Sequence, residues 1–204
     1  MPSKKADLPR RLSKTRLVTS IALLLALSIL FETIPSFRVF WGMKIDFVGA
    51  VWVLAFFLYG LSEALIVSIL TTMFILVYSP TGFVGAAMKL VATLPMFLIP
   101  ALMLYLPFLR NRASRPFNSI LVISAAGILA ILARLVIASF ANYYWAIPIY
   151  LGKPSDIVMK EVFGGSILTY IAWIASMNVF QGIVDILVPW FLAFKLKIAQ
   201  YFGT

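Results

Sequence analysis

The sequence predicts an all-α integral membrane protein, a six-transmembrane-helix bundle with both termini in the cytoplasm. Composition is the first reason, because 63% of the 204 residues are hydrophobic and only 12% are charged. So few charged side chains cannot cover the surface of a water-soluble domain of this size. Length is the second reason, because each of six apolar stretches approaches the roughly 20 residues that cross a bilayer as a helix. The third reason is that basic residues crowd between alternate stretches.

The apolar runs and their polar flanks give the order of the spans. Residues 1–204 are predicted to form a single transmembrane domain that is preceded by a basic cytoplasmic tail, residues 1–16. The second span is short and meets the third at Gly60, which predicts a tight helical hairpin. The predicted spans are residues 17–34, 45–59, 61–78, 83–106, 118–141 and 166–194.

Prolines mark two segments of the chain. Pro95 and Pro100 lie inside the fourth span, where the missing backbone donors predict a bend. Residues 142–165 form the longest predicted outer connection, and Pro148 and Pro154 predict that it is not a continuous helix. This segment is rich in aromatic residues and is a candidate lid.

The distribution of the 17 lysines and arginines sets the predicted topology. Only four of them fall in the loops of the opposite side, so the positive-inside rule places both termini in the cytoplasm. The net charge of +10 then indicates contact with anionic lipid headgroups, and nucleic acid is not an expected partner. The eleven basic residues of the cytoplasmic side are Lys4, Lys5, Arg10, Arg11, Lys14, Arg16, Arg110, Arg112, Arg115, Lys195 and Lys197.

The chain contains neither histidine nor cysteine. Their absence removes the commonest general base, thiol nucleophiles and the usual zinc ligands, so no catalytic residue and no metal site are predicted. A small membrane enzyme acting on lipid remains an alternative, in which Glu32, Arg134 and Asp185 would supply acid-base or phosphate chemistry. No two carboxylates are spaced for joint catalysis, which argues against it.

Charged residues inside the spans need partners or water, because burying one costs about 2.5 to 3.5 kcal/mol. Counted from the span ends, Glu32, Lys89 and Arg134 all lie near the outer face and are expected to share an outward pocket. A buried ion pair between Arg134 and Glu32 is the structural alternative. Asp185 lies nearer the inner end, so it is expected not to pair with Arg134 and to have a structural or coupling role.

Polar and small residues on helix faces suggest what the spans contact. Asn178, Gln181 and Asp185 are three and four residues apart and should face inward. In the first span, Ala22 and Ala26 are also four apart and would allow another helix to approach closely. Amide and carboxylate groups beside aromatic rings suit a flat heterocycle with a polyol tail. The polar residues expected in the outer half are Asp46, Lys89 and Asn142.

Three further strings give the chain a family resemblance. They are Lys44-Ile45-Asp46-Phe47, Thr81-Gly82-Phe83-Val84-Gly85 and Asn142-Tyr143-Tyr144-Trp145-Ala146-Ile147-Pro148-Ile149-Tyr150. With six spans in about 200 residues and the Ala22-x-x-x-Ala26 helix, the chain resembles the S components of energy-coupling factor (ECF) vitamin transporters. It is most similar to the riboflavin-specific type. The resemblance covers essentially the whole chain.

The resemblance implies a non-enzymatic, multi-pass subunit of the cell membrane that binds a vitamin as transported ligand and has no cofactor. Its implied partners are a transmembrane coupling protein, which contacts Ala22 and Ala26, and two cytoplasmic ATPases. The family pattern Asn-x-x-Lys is replaced here by Asn178-x-x-Gln181, which lacks the positive charge of the lysine. Lys89 is therefore a candidate to supply that charge. Because of this difference, another heterocyclic vitamin or precursor is the alternative ligand. The predicted ligand-binding residues are Asp46, Lys89, Asn142, Tyr143, Asn178 and Gln181.

Overall fold

The computed structural model describes residues 13–35, 38–39, 43–106 and 115–202. Within these ranges the chain is helical, and its only extended pairing is an isolated antiparallel bridge between Arg38 and Lys44. Most of the predicted basic tail and the central loop residues Arg110 and Arg112 lie outside the described residues.

Nine α-helices follow one another along the described chain. Two short π-helical segments interrupt the α-helices: residues 142–146 lead directly into the next helix, and residues 191–195 extend a helix up to Lys195. The helices are α1 (Lys14–Thr33), α2 (Val48–Tyr59), α3 (Leu61–Tyr78), α4 (Gly82–Met103), α5 (Ile120–Ala141), α6 (Ile147–Leu151), α7 (Ser155–Phe163), α8 (Ile167–Trp190) and α9 (Ile198–Tyr201).

Five helical stretches in the described chain are long and apolar enough to cross a membrane. They start at α1, α3, α4, α5 and α8, and they agree with five of the six predicted spans. The remaining predicted span corresponds to α2, which has only 12 residues and is about 18 Å long. The chain is therefore a multi-pass membrane protein with five long apolar helices and one short apolar helix.

The short helix α2 forms the centre of the bundle. Every residue from 48 to 58 is buried, and α2 packs against α1, α3, α4 and α8. A helix that is apolar on all sides must be enclosed on all sides. Its neighbours supply that enclosure, so α2 has no face of its own toward lipid.

The predicted hairpin between the second and third spans is confirmed. Gly60 alone separates α2 from α3, and its φ of +113° belongs to the region that favours glycine. Asp46 lies at the other end of α2, where its Oδ1 accepts a hydrogen bond from the backbone N–H of Val48 at 2.9 Å. This acceptor satisfies one of the free N–H groups of the first turn.

The end of the bundle near Gly60 is packed with aromatic rings. Phe57 contacts the rings of Phe56, Phe117 and Phe194 at centroid distances of 5.3 to 5.7 Å. Trp190 donates its indole N–H to the Phe117 carbonyl at 2.8 Å. We call Phe56, Phe57, Phe117, Trp190 and Phe194 the aromatic end.

The prediction of a broken connection at residues 142–165 is wrong for its first part. Residues 120–151 form one uninterrupted 32-residue helical stretch, because the π-helical segment leads directly into α6. Pro148 lies in the first turn of α6, a position that tolerates proline. The stretch ends at Gly152, whose φ is +65°, and α7 begins after Pro154.

Candidate functional site

An open cavity lies at the opposite end of the bundle from the aromatic end. Its empty space, counted together with the open solvent at its mouth, is about 770 Å³. Alternate helices run in opposite directions, so this end collects the last turns of α1 and α3, the first turns of α4, and the polar residues of α5 and α8. The cavity is therefore built by helices from the whole length of the described chain, together with Arg38, Met43 and Lys44 between α1 and α2.

The walls of the cavity contain several of the residues that the sequence singles out. Glu32, Lys89 and Arg134 all line it, which confirms that these three in-span charges share one pocket. Of the predicted ligand-binding residues, Lys89, Asn142 and Asn178 line the cavity. Asp46, Tyr143 and Gln181 do not belong to its lining.

Asp46 lies behind the wall and joins two of its lysines. Its carboxylate Oδ2 forms an ion pair with Lys89 and lies 3.7 Å from the Nζ of Lys44. Lys44 in turn pairs with Glu32 at 2.8 Å and donates a hydrogen bond to the Glu32 carbonyl at 3.0 Å. The two predicted site residues Asp46 and Lys89 thus form an ion pair with each other, and only Lys89 lines the cavity.

The polar face of α8 continues this network into the bundle. Gln181 accepts from the Asp46 backbone N–H at 3.1 Å and donates to the Asp46 carbonyl at 2.7 Å. Its Nε2 also donates to Asp185 Oδ1 at 2.8 Å. Asn178, Gln181 and Asp185 are at most 2% exposed, so the predicted inward face is confirmed. Gln181 holds the start of α2 against α8.

Arg134 forms an ion pair with Asp185, and this corrects the sequence prediction. Its Nη1 donates to Asp185 Oδ2 at 2.7 Å, and its Nε donates to Asn178 Oδ1 at 3.0 Å. Glu32 pairs with Lys44, so the alternative of a Glu32–Arg134 pair is also wrong. The side chains of Arg134 and Asp185 are at most 4% exposed.

The error in depth has a simple cause. The prediction ended the helix of Arg134 at residue 141, but that helix continues to Leu151. Arg134 then lies 17 residues before the helix end, and Asp185 lies 18 residues after Ile167, where α8 begins. At about 1.5 Å per residue, the two side chains are at nearly the same depth.

The long helix keeps one face toward the cavity through its π-helical segment. Arg134, Asn142, Ala146 and Tyr150 line the cavity at multiples of four residues. In a regular α-helix, residues four apart drift by about 40° per step. The wider π turn counteracts this drift, so Tyr150 still borders the same cavity as Arg134.

Asn142 and its neighbour Tyr143 face different surroundings. Asn142 lines the cavity, and its Nδ2 donates to the Ala138 carbonyl at 2.8 Å. Tyr143 contacts the Tyr170 ring at 5.7 Å, and its carbonyl accepts from Ser155 at 2.8 Å. Tyr143 thus joins α7 and α8 to the end of α5.

Two basic residues of the cavity wall, Arg38 and Lys44, were not among the predicted ligand-binding residues. Both belong to the few basic residues on the predicted outer side. The positive-inside rule explains basic residues on the cytoplasmic side only, so basic residues on the outer side need another explanation. That exception was the available signal. Among the described residues, no cluster of three His, Cys, Asp or Glu side chains suits a metal ion.

The predicted docking residues lie on a separate surface. Ala22 and Ala26 are exposed on α1, whose opposite side buries Ser28 and Glu32 against the bundle. Leu23 and Leu30 lie beside them and are 66% and 53% exposed. The small residues are therefore available to a partner helix or to lipid.

Comparisons with known proteins place the fold. No protein-family model matches the sequence, and no curated protein matches it. Among solved structures, one described as "Structure and mechanism of the S component of a bacterial ECF transporter" matches with a TM-score of 0.68 and 19% sequence identity. The match covers 94% of this chain and 100% of that one. This chain therefore has the fold of an ECF transporter S component.

Proposed function

We propose that this protein is the substrate-binding membrane subunit of an ECF-type vitamin importer, with riboflavin as the preferred ligand. It lies in the cell membrane with both termini in the cytoplasm and captures its ligand from outside. The ligand enters the cell when the subunit works with a coupling protein and two ATPases. The subunit itself performs no chemistry, and the sequence has no phosphate-binding loop of the Walker type.

One observation carries the proposal. The two most specific strings of the family resemblance, Thr81–Gly85 and Asn142–Tyr150, come from different helices, yet both border the single cavity described above. Thr81, Val84 and Gly85 line it from α4, and Asn142, Ala146 and Tyr150 line it from the long helix. Two conspicuous sequence strings that line the same cavity support a ligand site better than either string alone.

The cavity has the composition expected for a small ligand. Met43, Ile75, Val84, Met88 and Ala92 provide apolar wall, and a few polar groups interrupt it. Ligand sites usually combine a mostly apolar lining with a small number of placed polar groups. A flat ring system would occupy the apolar part, and its polar edge would reach the amide and the cations.

The direct test is the colour of the purified protein. Protein extracted in detergent from cells grown with riboflavin should be yellow and should quench added flavin fluorescence with one flavin per chain. A colourless preparation that quenches no flavin would exclude riboflavin. Mass spectrometry of small molecules that copurify then identifies another heterocyclic vitamin or precursor, the alternative ligand that the neutral Gln181 leaves open.

Asn142 is the amide to test first. Its Oδ1 has no partner among the described residues, whereas the described bonds of Asn178 already use its Oδ1 and both N–H groups of Nδ2. Asn142→Ala should weaken ligand binding by about 1 to 3 kcal/mol. Asn178→Ala should act indirectly, by releasing Arg134. Ser176→Ala on the exposed side of α8 is the matched control, and unchanged affinity in Asn142→Ala would remove this residue from the site.

A further inference from the structure

We infer that the ligand carries a carboxylate or phosphate group, which binds the cationic wall of the cavity formed by Arg38, Lys89 and Arg134. The inference rests on the proposed function, because it concerns the ligand of the same cavity, but it replaces neutral riboflavin as the preferred ligand by an anionic form such as riboflavin 5′-phosphate or by another anionic vitamin. It concerns a soluble ligand rather than a lipid headgroup. Three observations on the described residues lead to it.

The first observation is the balance of charge. Four cationic side chains line the cavity, Arg38, Lys44, Lys89 and Arg134, and one carboxylate, Glu32, lines it with them. Two more carboxylates, Asp46 and Asp185, pair with the lining cations but do not line the cavity themselves. Even when these are counted, the four cations face three anions, so one positive charge is left for a ligand to neutralise.

The second observation is how the existing ion pairs divide the cations. Lys44 is fully used, because its Nζ lies within 3.0 Å of both the carbonyl and a carboxylate oxygen of Glu32 and 3.7 Å from Asp46. Lys89 has one described acceptor, Asp46, for its three N–H groups. Arg38 is exposed at the cavity and has no ion-pair partner among the described residues.

Arg134 provides the third and strongest observation. It is 97% buried, and the described bonds involve only its Nε and Nη1. The second terminal nitrogen, Nη2, has no hydrogen-bond acceptor within the described chain, although the residue lines the cavity. Asp185 and Asn178 hold the guanidinium in place from one side. A buried, fixed guanidinium with free N–H groups is suited to an oxyanion.

The free polar groups around the cavity are thus mainly donors. Arg134 Nη2, two N–H groups of Lys89 and the whole guanidinium of Arg38 have no described acceptor, whereas the available acceptors are few and include Asn142 Oδ1. A neutral ligand would leave buried charged donors without an acceptor of matching strength, which is costly. An anionic group would satisfy them with charge-assisted hydrogen bonds.

Two flavins that differ only by an anion provide the test. Full-length protein in nanodiscs of phosphatidylcholine is titrated with riboflavin and with riboflavin 5′-phosphate, and flavin fluorescence quenching is measured at low salt. The phosphate ester should bind at least about tenfold more tightly, as expected for charge-assisted hydrogen bonds. Inorganic phosphate should compete with it. Equal affinities would overturn the inference and leave the proposed function standing.

Variants connect the preference to the wall. Arg38→Ala should reduce the preference for the phosphate ester at least about threefold. Lys153→Ala is the control, because this lysine is half-exposed, pairs with Glu161 and does not line the cavity. It should leave the preference unchanged. A preference that both variants reduce equally would reflect the general surface potential and would overturn the inference.

Two further measurements cover the remaining outcomes. If neither flavin binds, riboflavin is lost from the proposed function, and the melting temperature is compared in sodium phosphate and sodium chloride of equal ionic strength. A higher melting temperature in phosphate that Arg38→Ala diminishes supports the anion site, and an unchanged melting temperature overturns it.

Replacing part of the phosphatidylcholine by phosphatidylglycerol identifies the source of the anion. Unchanged affinity for the ester supports a soluble ligand, whereas reduced affinity indicates that a lipid headgroup occupies the site.

Discussion

At one end of the bundle, the α2 rings of Phe56 and Phe57 pack against Phe117 and Phe194, and the indole N–H of Trp190 donates to a backbone carbonyl. At the other end, the residue two positions before α2 is Asp46, which takes part in a network of ion pairs and amide hydrogen bonds. The aromatic end is closed mainly by ring packing, and the Trp190 hydrogen bond adds one polar contact. The polar end has every buried carboxylate paired and still encloses a cavity.

The difference shows where the fold can tolerate empty space. Apolar side chains in a bilayer gain little by leaving lipid, so their cohesion comes from close packing and a void simply loses contacts. Ion pairs and hydrogen bonds act over fixed geometries and can hold helices apart around a hollow. A cavity supported by a connected polar network is therefore expected at one end only, and the following variants test each end separately.

The largest effect is expected from Asp185→Ala at the polar end. The change removes the carboxylate partner of Arg134 and leaves a buried guanidinium without its counter-ion. Breaking a buried ion pair by removing one partner costs about 3 to 5 kcal/mol. Thermal unfolding in detergent should show a large drop in melting temperature and loss of ligand binding.

The exposed pair of Lys153 and Glu161 is the control for this variant, because both side chains are about half exposed. Glu161→Ala should change stability by less than about 1 kcal/mol. The double variant Arg134→Met/Asp185→Leu should recover much of the lost stability, because apolar residues of similar size need no partner. If Asp185→Ala alone is as stable as the natural protein, the ion pair does not support the polar end.

Phe57→Ala tests the aromatic end. Phe57 is fully buried and contacts three other aromatic rings. Its removal leaves a cavity, and the expected loss is about 3 kcal/mol. Ligand affinity measured below the melting temperature should stay unchanged, because the site is at the other end. Phe83→Ala, exposed at the start of α4, should cost much less, and a loss of affinity in Phe57→Ala would show that the two ends are coupled.

Two buried glycines provide a finer test of the polar end. A methyl group added at Gly49 would lie 2.6 Å from Asp185 Oδ1, whereas one added at Gly127 would lie 3.4 Å from Ile186 Cγ2, an ordinary contact. Gly49→Ala should therefore displace the Asp185–Arg134 pair and cost about 2 kcal/mol of stability. Gly127→Ala should be neutral or slightly stabilising, because alanine favours a helix over glycine. Equal effects at both positions would mean that α2 can move away from Asp185.

The sequence alone predicts much of the fold, because the features that set it are local. Long apolar runs give the five long helices, Gly60 gives the hairpin, and the spacing of Asn178, Gln181 and Asp185 gives the inward face of α8. Each of these follows from residues within one or two turns. The short central helix was also found, although only its complete burial explains why 12 residues are enough.

The partners within the site could not be predicted in the same way. The pairing of Arg134 with Asp185 depends on where a helix ends, and the aromatic run and Pro148 concealed that the helix continues through a π-helical segment to Leu151. An error of ten residues in one helix end changes depth by about 15 Å. Arg38 was missed because its one signal, a basic residue on the predicted outer side, does not show which loop cation borders a cavity.

The smallest effect on the isolated protein is expected at α1, whose exposed face belongs to neither end. Ala22→Trp places a large ring on the outer surface of α1, so stability and ligand affinity should change little, within about 0.5 kcal/mol. If this face contacts the coupling protein, the same ring prevents close helix approach and assembly with the coupling protein and ATPases is lost. Copurification of the three partners measures assembly. Leu121→Trp on α5, where Leu121 is 78% exposed, should assemble normally. Normal assembly and transport with Ala22→Trp would show that the small residues of α1 face lipid rather than a partner.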